Sequence, residues 1–316
     1  MVTTPPAQVQ EAPAFEGREI AFTGFNQLPL KGSVLPGGDH RYFAVLVSGT
    51  GPMDRDWRSP QLPKGRPGLD LATWLQKQGL GSLRYDKRYI GSRDPRLDVS
   101  LEAQAGDVKA ALAHARSLPE AKGRKLLLVA HSEGCLPGLT AAPMAADAVL
   151  LLACPARPMA AVLRAQVESQ LPLEQRRDNL AYLDDVLQAI RWDRPRPEPG
   201  PGVLPGMGQL ARALMAAETL PFVRGTLDLD PLALAGRLPV PTALAWGDRD
   251  LQAPRPAGLP QGFRPKVLDL PETNHLLRQE SRSVGELTPA KARERYGDGA
   301  PLADLSPVSS WLQGLQ

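Results

Sequence analysis

Ser132 ends an apolar run, Leu126-Leu127-Leu128-Val129-Ala130-His131, and is followed by Glu133 and Gly134. A hydroxyl on a sharp strand-to-helix turn projects clear of the backbone as a nucleophile, and small residues at 130 and 134 leave room for neighbouring chain. Ala130 stands where glycine is commoner and crowds that turn slightly. Pro137 falls in the first turn of the helix expected next, where N–H groups lack an intrahelical acceptor and an imide is tolerated. The bland alternative is a surface loop, since Ser-x-Gly also arises by chance.

A serine hydroxyl is a weak nucleophile until a base takes its proton. Of the histidines at 40, 114, 131 and 275, only His275 lies downstream, in Pro271-Glu272-Thr273-Asn274-His275 after the run Val267-Leu268-Asp269-Leu270. A loop beyond the end of a parallel strand is where such a base meets the nucleophile. His131 points away from a tight turn at Ser132 and reads as a structural or pocket-wall residue, while His40 and His114 read as ordinary solvated histidines. The imidazole needs a carboxylate to hold its tautomer. Asp248 and Asp250 both follow Thr242–Gly247, and with Arg249 between them only one is expected to face His275. Local patterning favours Asp250 and leaves Asp248 to cap or brace the turn.

Negative charge developing on a substrate oxygen needs backbone donors. The N–H of Glu133 follows the nucleophile directly. A second, that of Thr50, lies in Ser48-Gly49-Thr50-Gly51-Pro52, although that segment serves equally well as a simple turn.

The elements that must hold these groups alternate. Residues 18 to 35 read as an edge hairpin around Asn26-Gln27. Strands are expected at 43–47, 83–85, 125–130, 149–152, 242–246 and 266–270, with helices from near Asp70, at 99–118 and at 306–315. This is an α/β pattern with a mostly parallel sheet. Between Cys154 and Val240 helices take over: Leu180, Leu183, Leu187 and Ile190 share one face, prolines from 195 to 201 impose an extended break, and a helix follows at 208–218. The expected division is a core of 18–154 and 236–316, a helical cap inserted at 155–235, and a loose segment at 1–17.

With 316 residues, 42% of them hydrophobic, the chain can bury a full core. No apolar run approaches a bilayer span, and Met1–Pro6 lack the basic and apolar regions of a secretory signal, so a cytoplasmic site is the expectation. Cys135 and Cys154 are too few for a disulfide framework and read as small buried hydrophobes. A net charge of +3 without a dense basic stripe offers nothing to nucleic acid, and the histidines show no local zinc spacing, so neither metal nor cofactor is expected. Oligomeric state carries no sequence signal.

Taken together, Ala130-His131-Ser132-Glu133-Gly134, Ser48–Pro52 with Asp54-Arg55-Asp56, Arg84-Tyr85-Asp86-Lys87-Arg88, Gly247–Pro254 and Asn274-His275-Leu276-Leu277 resemble the α/β-hydrolase family, in particular its capped esterase-like and serine-aminopeptidase-like members. The resemblance covers almost the whole chain. It implies an α/β-hydrolase fold with catalytic Ser132, Asp250 and His275, in the chain order nucleophile, acid, base. Tyr89 departs from the glycine common after Asp-x-Arg, and Asp54, Arg55, Asp86 and Arg88 read as loop braces. The expected activity is cleavage of carboxylic esters of small or medium acyl groups through an acyl-enzyme. Amide or aminopeptide cleavage, with Asp184 or Asp185 receiving an amine, thioester cleavage and carbon–carbon bond hydrolysis are alternatives, as is a noncatalytic ligand-binding role.

Overall fold

The computed structural model describes residues 16–58, 65–90, 92, 94, 96–296 and 299–315. Most of the segment expected to be loose, up to residue 15, lies outside the described residues.

Eight strands form one sheet: β1 (Arg18–Thr23), β2 (Pro29–Leu35), β3 (Tyr42–Val47), β4 (Gly81–Tyr85), β5 (Lys125–His131), β6 (Ala148–Leu152), β7 (Thr242–Gly247) and β8 (Lys266–Leu270), in the order β1-β2-β4-β3-β5-β6-β7-β8. β1 and β2 form the edge hairpin and β2 pairs antiparallel with β4; every later pairing is parallel. The chain moves one way from β3 to β4 and the other way from β5 to β6. Loops leaving adjacent β3 and β5 therefore diverge, opening a crevice at their carboxyl ends.

Ten α-helices accompany these strands among the described residues: α1 (Pro67–Lys77), α2 (Leu101–Ser117), α3 (Cys135–Ala141), α4 (Met159–Gln170), α5 (Leu173–Arg191), α6 (Pro205–Leu214), α7 (Leu220–Thr226), α8 (Pro231–Gly236), α9 (Pro289–Glu294) and α10 (Ser306–Gln313). α1 begins three residues before the expected Asp70, because Pro67 at the first helical position needs no acceptor for an N–H it lacks. α2 begins at a Ser100 cap whose side chain accepts from the N–H of Ala103.

Central strands buried on both faces explain the continuous apolar runs in the sequence. Along β5, Leu126, Leu128 and Ala130 face a layer that includes Val108 and Leu112 of α2 and Leu139 of α3. Leu127 and Val129 face α1 and α10 through Leu71, Leu75, Val308 and Leu312. Each leucine so buried contributes on the order of 1.5–3 kcal/mol relative to exposure. Cys135 and Cys154 are free and buried, as expected of small hydrophobes.

Helices α4 to α7 enclose a core of their own built on the Leu183, Val186, Leu187 and Ile190 face of α5. They meet the sheet domain where Phe222 of α7 packs with Leu101, at the start of α2, and Leu136, in the first turn of α3. Both of those turns lie beyond the carboxyl ends of the parallel strands. α8 goes the other way: its Leu232 and Ala235 pack into the sheet's own core, so the expected boundary at 235 falls inside a helix belonging to that layer.

His40 is a correction. It is 3% exposed rather than solvated, accepting from the N–H of Tyr42 at Nδ1 and donating through Nε2 to the Leu312 carbonyl. The first N–H of β3 and a carbonyl at the end of α10 both need partners there, which a sequence window cannot reveal. His114 is half-buried and stacks on Phe22.

Candidate active site

β5 ends at His131, and Ser132 follows with φ +54°, in the left-handed region that non-glycine residues avoid. A short 3-10 turn, Ser132–Gly134, leads into α3. A side chain at Gly134 would collide with the Ser48 carbonyl, so the absent Cβ lets the loop after β3 press against the turn. This strained turn is held by that contact and by the buried strand behind it.

His275, the base expected from sequence, arrives from the other end of the sheet. At the end of β7, Gly247 leaves no Cβ to strike the Thr273 carbonyl, and that carbonyl accepts from the N–H of Arg249 at 3.0 Å. The loop after β8 is thereby laid against the loop after β7. Asp250 and His275 meet within it: Nδ1 of His275 is 2.8 Å from Asp250 Oδ2, and Nε2 is 2.9 Å from Ser132 Oγ.

Hydrogen-bond chemistry fixes the protons. An ionised carboxylate only accepts, so His275 Nδ1 carries the hydrogen and Nε2 presents its lone pair to the serine hydroxyl. Burial alone would push the Asp250 carboxyl up. The His275 contact and the N–H groups of Ala253 and Gln252, which donate to Oδ1, more than offset it and hold Asp250 below the usual carboxylate range.

Asp248 is half exposed, pairs with Arg249 at 2.7 Å and lies 3.4 Å from the N–H of Thr273. It braces the turn and does not reach His275. Thr50 is exposed on the loop after β3, and Glu133 is partly buried, its Oε1 3.8 Å from Lys87 Nζ.

Of the loop braces expected from sequence, Arg55 and Asp86 are each other's partners, while Asp54 and Arg88 find theirs elsewhere. Arg55 takes Asp86 through both its backbone N–H and its guanidinium, and Arg84 pairs with Asp56 at 3.2 Å with both side chains fully buried. Asp54 accepts from Arg58, and Arg88 donates to Asp107. The Arg55 and Arg84 pairs tie the loop after β3 to β4 and its exit, the Asp54 pair closes that loop on itself, and the Arg88 pair ties the exit of β4 to α2. Tyr89 has a role of its own there, since its hydroxyl donates to the Gly51 carbonyl at 2.9 Å.

His131 does turn away from the serine. Its Nε2 donates to the His275 carbonyl at 2.7 Å, and its ring stacks on Trp57 at 5.0 Å. Sequence reasoning missed Trp57, held at φ +63°, and the burial of Lys87, which stands among charged neighbours with no local sign of a buried environment. Among the described residues, no three His, Cys, Asp or Glu side chains converge as a metal site, and no helix is long and apolar enough to cross a membrane.

Burial, with His275 adding to it, pushes His131 down to about 3. The unfolded chain takes up a proton at this histidine below about pH 6.5, while the folded one stays neutral until about pH 3. Stability from this group is therefore complete above that higher value and declines as pH falls, by roughly 2–3 kcal/mol at about pH 4.5. His40 and His114 are shifted in the same direction by burial, so the comparison must isolate His131. Urea unfolding at neutral pH and at about pH 4.5 should show a markedly smaller loss in His131→Gln than in the wild type; equal losses would refute the assignment.

The sequence profile of the alpha/beta hydrolase family matches residues 44–287, which include most of β3, every strand from β4 to β8, and Ser132, Asp250 and His275. The chain belongs to the alpha/beta hydrolase family. Esterase EstD of Thermotoga maritima is 28% identical over 243 residues, covering 76% of this chain and 53% of EstD, so the chain spans about half the length of that curated relative. The hydrolase fold is also that of a thermophilic esterase from Thermogutta terrifontis (TM-score 0.50, 15% identity, 95% of this chain and 99% of the other). A proline iminopeptidase from Mycobacterium smegmatis is similar too, at TM-score 0.53 and 16% identity, over 94% of this chain and 98% of that one.

Proposed function

We propose that this hydrolase is a serine carboxylesterase acting on small or medium acyl substrates. The observation that carries the reading is the continuous contact from Asp250 through His275 to Ser132, with both hydrogen bonds under 3 Å. His275 Nε2 removes the hydroxyl proton as Ser132 Oγ attacks the ester carbonyl. The N–H groups of Thr50 and Glu133 receive the developing oxyanion, which is the state an active site must bind best. The imidazolium, stabilised by Asp250, returns its proton to the leaving alcohol. Water activated by the same histidine then hydrolyses the acyl-serine.

Helices α4 to α7 are read as a cap over this cleft. The packing of Phe222 on Leu101 and Leu136, beyond the strand ends, supports that position. The two cap carboxylates considered for an aminopeptidase lend that alternative no support: Asp184 is engaged by Arg164 at 2.6 Å, and Asp185 is exposed. The relatives described as esterases agree with the ester preference.

Matched p-nitrophenyl esters, thioesters and aminoacyl amides of one acyl series test the choice. Ester turnover that falls as the acyl chain outgrows the cleft is expected. Strong amide cleavage with negligible ester turnover would overturn the substrate class in favour of an amidase, and binding without turnover would favour a ligand-binding role.

A further inference from the structure

We propose that Lys87 is a positioning residue for the oxyanion site, pinning and polarising the peptide unit that carries the Thr50 donor. The inference rests on the acyl-transfer reading above and deepens it by adding the group that aims its donors.

Lys87 lies just past β4 and is 7% exposed. An ammonium so enclosed must find oxygen partners. Its Nζ donates to the Gly49 carbonyl, lies 3.8 Å from Glu133 Oε1 and sits 5.6 Å from the centre of the Tyr89 ring. The Gly49 carbonyl and the Thr50 N–H belong to one trans peptide, so they point in opposite directions. Fixing the oxygen towards Lys87 therefore fixes the N–H on the far side. That peptide adjoins the nucleophile: a Cβ built on Gly49 would lie 3.0 Å from the Ser132 Cβ.

Two effects follow. A cation on the carbonyl draws electron density through the amide and makes its N–H a stronger donor, as hydrogen bonds in series do. The same ammonium reaches the side chain of Glu133, whose backbone N–H is the other proposed donor. One buried charge thus links both segments that carry donors, while the Tyr89 hydroxyl on the Gly51 carbonyl holds the next peptide of the loop. Simple loop cohesion would affect ground state and transition state alike. A role in aiming donors appears only where the oxygen becomes negative.

The test compares Lys87→Met, Lys87→Gln and Lys87→Arg in the full chain, with p-nitrophenyl butyrate as substrate and a short alkyl trifluoromethyl ketone as inhibitor. The ketone forms an anionic tetrahedral adduct on the serine and reports transition-state binding. Removing an oxyanion donor outright costs 100- to 1,000-fold in other hydrolases, so loss of its aiming in Lys87→Met should lower kcat by about 30-fold while KM changes less than about threefold. Ketone affinity should weaken in step with kcat/KM. Gln, a neutral donor to the Gly49 oxygen, should recover part of the loss, and Arg, a charged donor, more. Wild-type kcat in a folded Lys87→Met, or a loss confined to KM with ketone affinity unchanged, overturns the proposal. If the Met variant does not fold, wild-type kcat and ketone affinity in Lys87→Gln overturn the polarising role. A wild-type protein inert towards both substrate and ketone instead refutes the acyl-transfer reading, and the role of Lys87 with it.

Discussion

Ser132→Ala is expected to lower turnover by about 10,000-fold or more, and His275→Ala by a comparable factor, because the two act as one unit and either loss removes proton-coupled attack. The double variant should be little worse than either single one, since the second change removes a group already idle. Folding should survive. Ser132 Oγ has His275 as its hydrogen-bond partner, and alanine keeps the Cβ that packs beside Gly49. Initial rates with a reactive ester, together with thermal melts of each variant, check this. Additive losses in the double variant would mean that the serine and the histidine do not serve one step.

The second large effect is expected at Asp250 and not at Asp248. In Asp250→Asn the position of Oδ1, which accepts the N–H groups of Gln252 and Ala253, must remain oxygen. The amide nitrogen then occupies the place of Oδ2, 2.8 Å from His275 Nδ1, and presents a donor to it. Only the imidazole with its hydrogen on Nε2 satisfies that arrangement, and that tautomer has no lone pair for the Ser132 proton. A fall in kcat of about 1,000- to 10,000-fold follows, with KM little changed. Asp248→Asn loses only a half-exposed pair with Arg249, so its activity should stay within about threefold. Steady-state kinetics of the two variants side by side decide the matter, and the reverse ranking would move the acid to Asp248.

Much of this architecture is legible in the chain because parallel strands buried on both faces leave unbroken apolar runs. Residues 126–130 of β5 and the whole of β6 are examples, and Ser132 follows closely on the first. Asp250 and His275 are legible for the same reason: each lies in a loop just beyond a strand, where the sheet directs side chains towards one crevice. What sequence does not carry is the partner a polar group finds across the fold. His40 resembles a surface loop residue until the end of α10 is laid over it. Lys87 resembles one charge among several until the loop after β3 closes on it. The affiliation of α8 is similar, since Leu232 and Ala235 fit either core by composition and only the path of the chain selects the sheet.

Nucleophilic attack by Ser132, with His275 taking its proton, is the proposed chemistry on which the rest stands. Incubation with a small fluorophosphonate, followed by peptide mass spectrometry, reads it directly. The expected result is a single adduct on the peptide containing Ser132, formed rapidly in the wild type and slowed by orders of magnitude in His275→Ala. Folded wild-type protein that takes no label, or takes it on another residue, would contradict it.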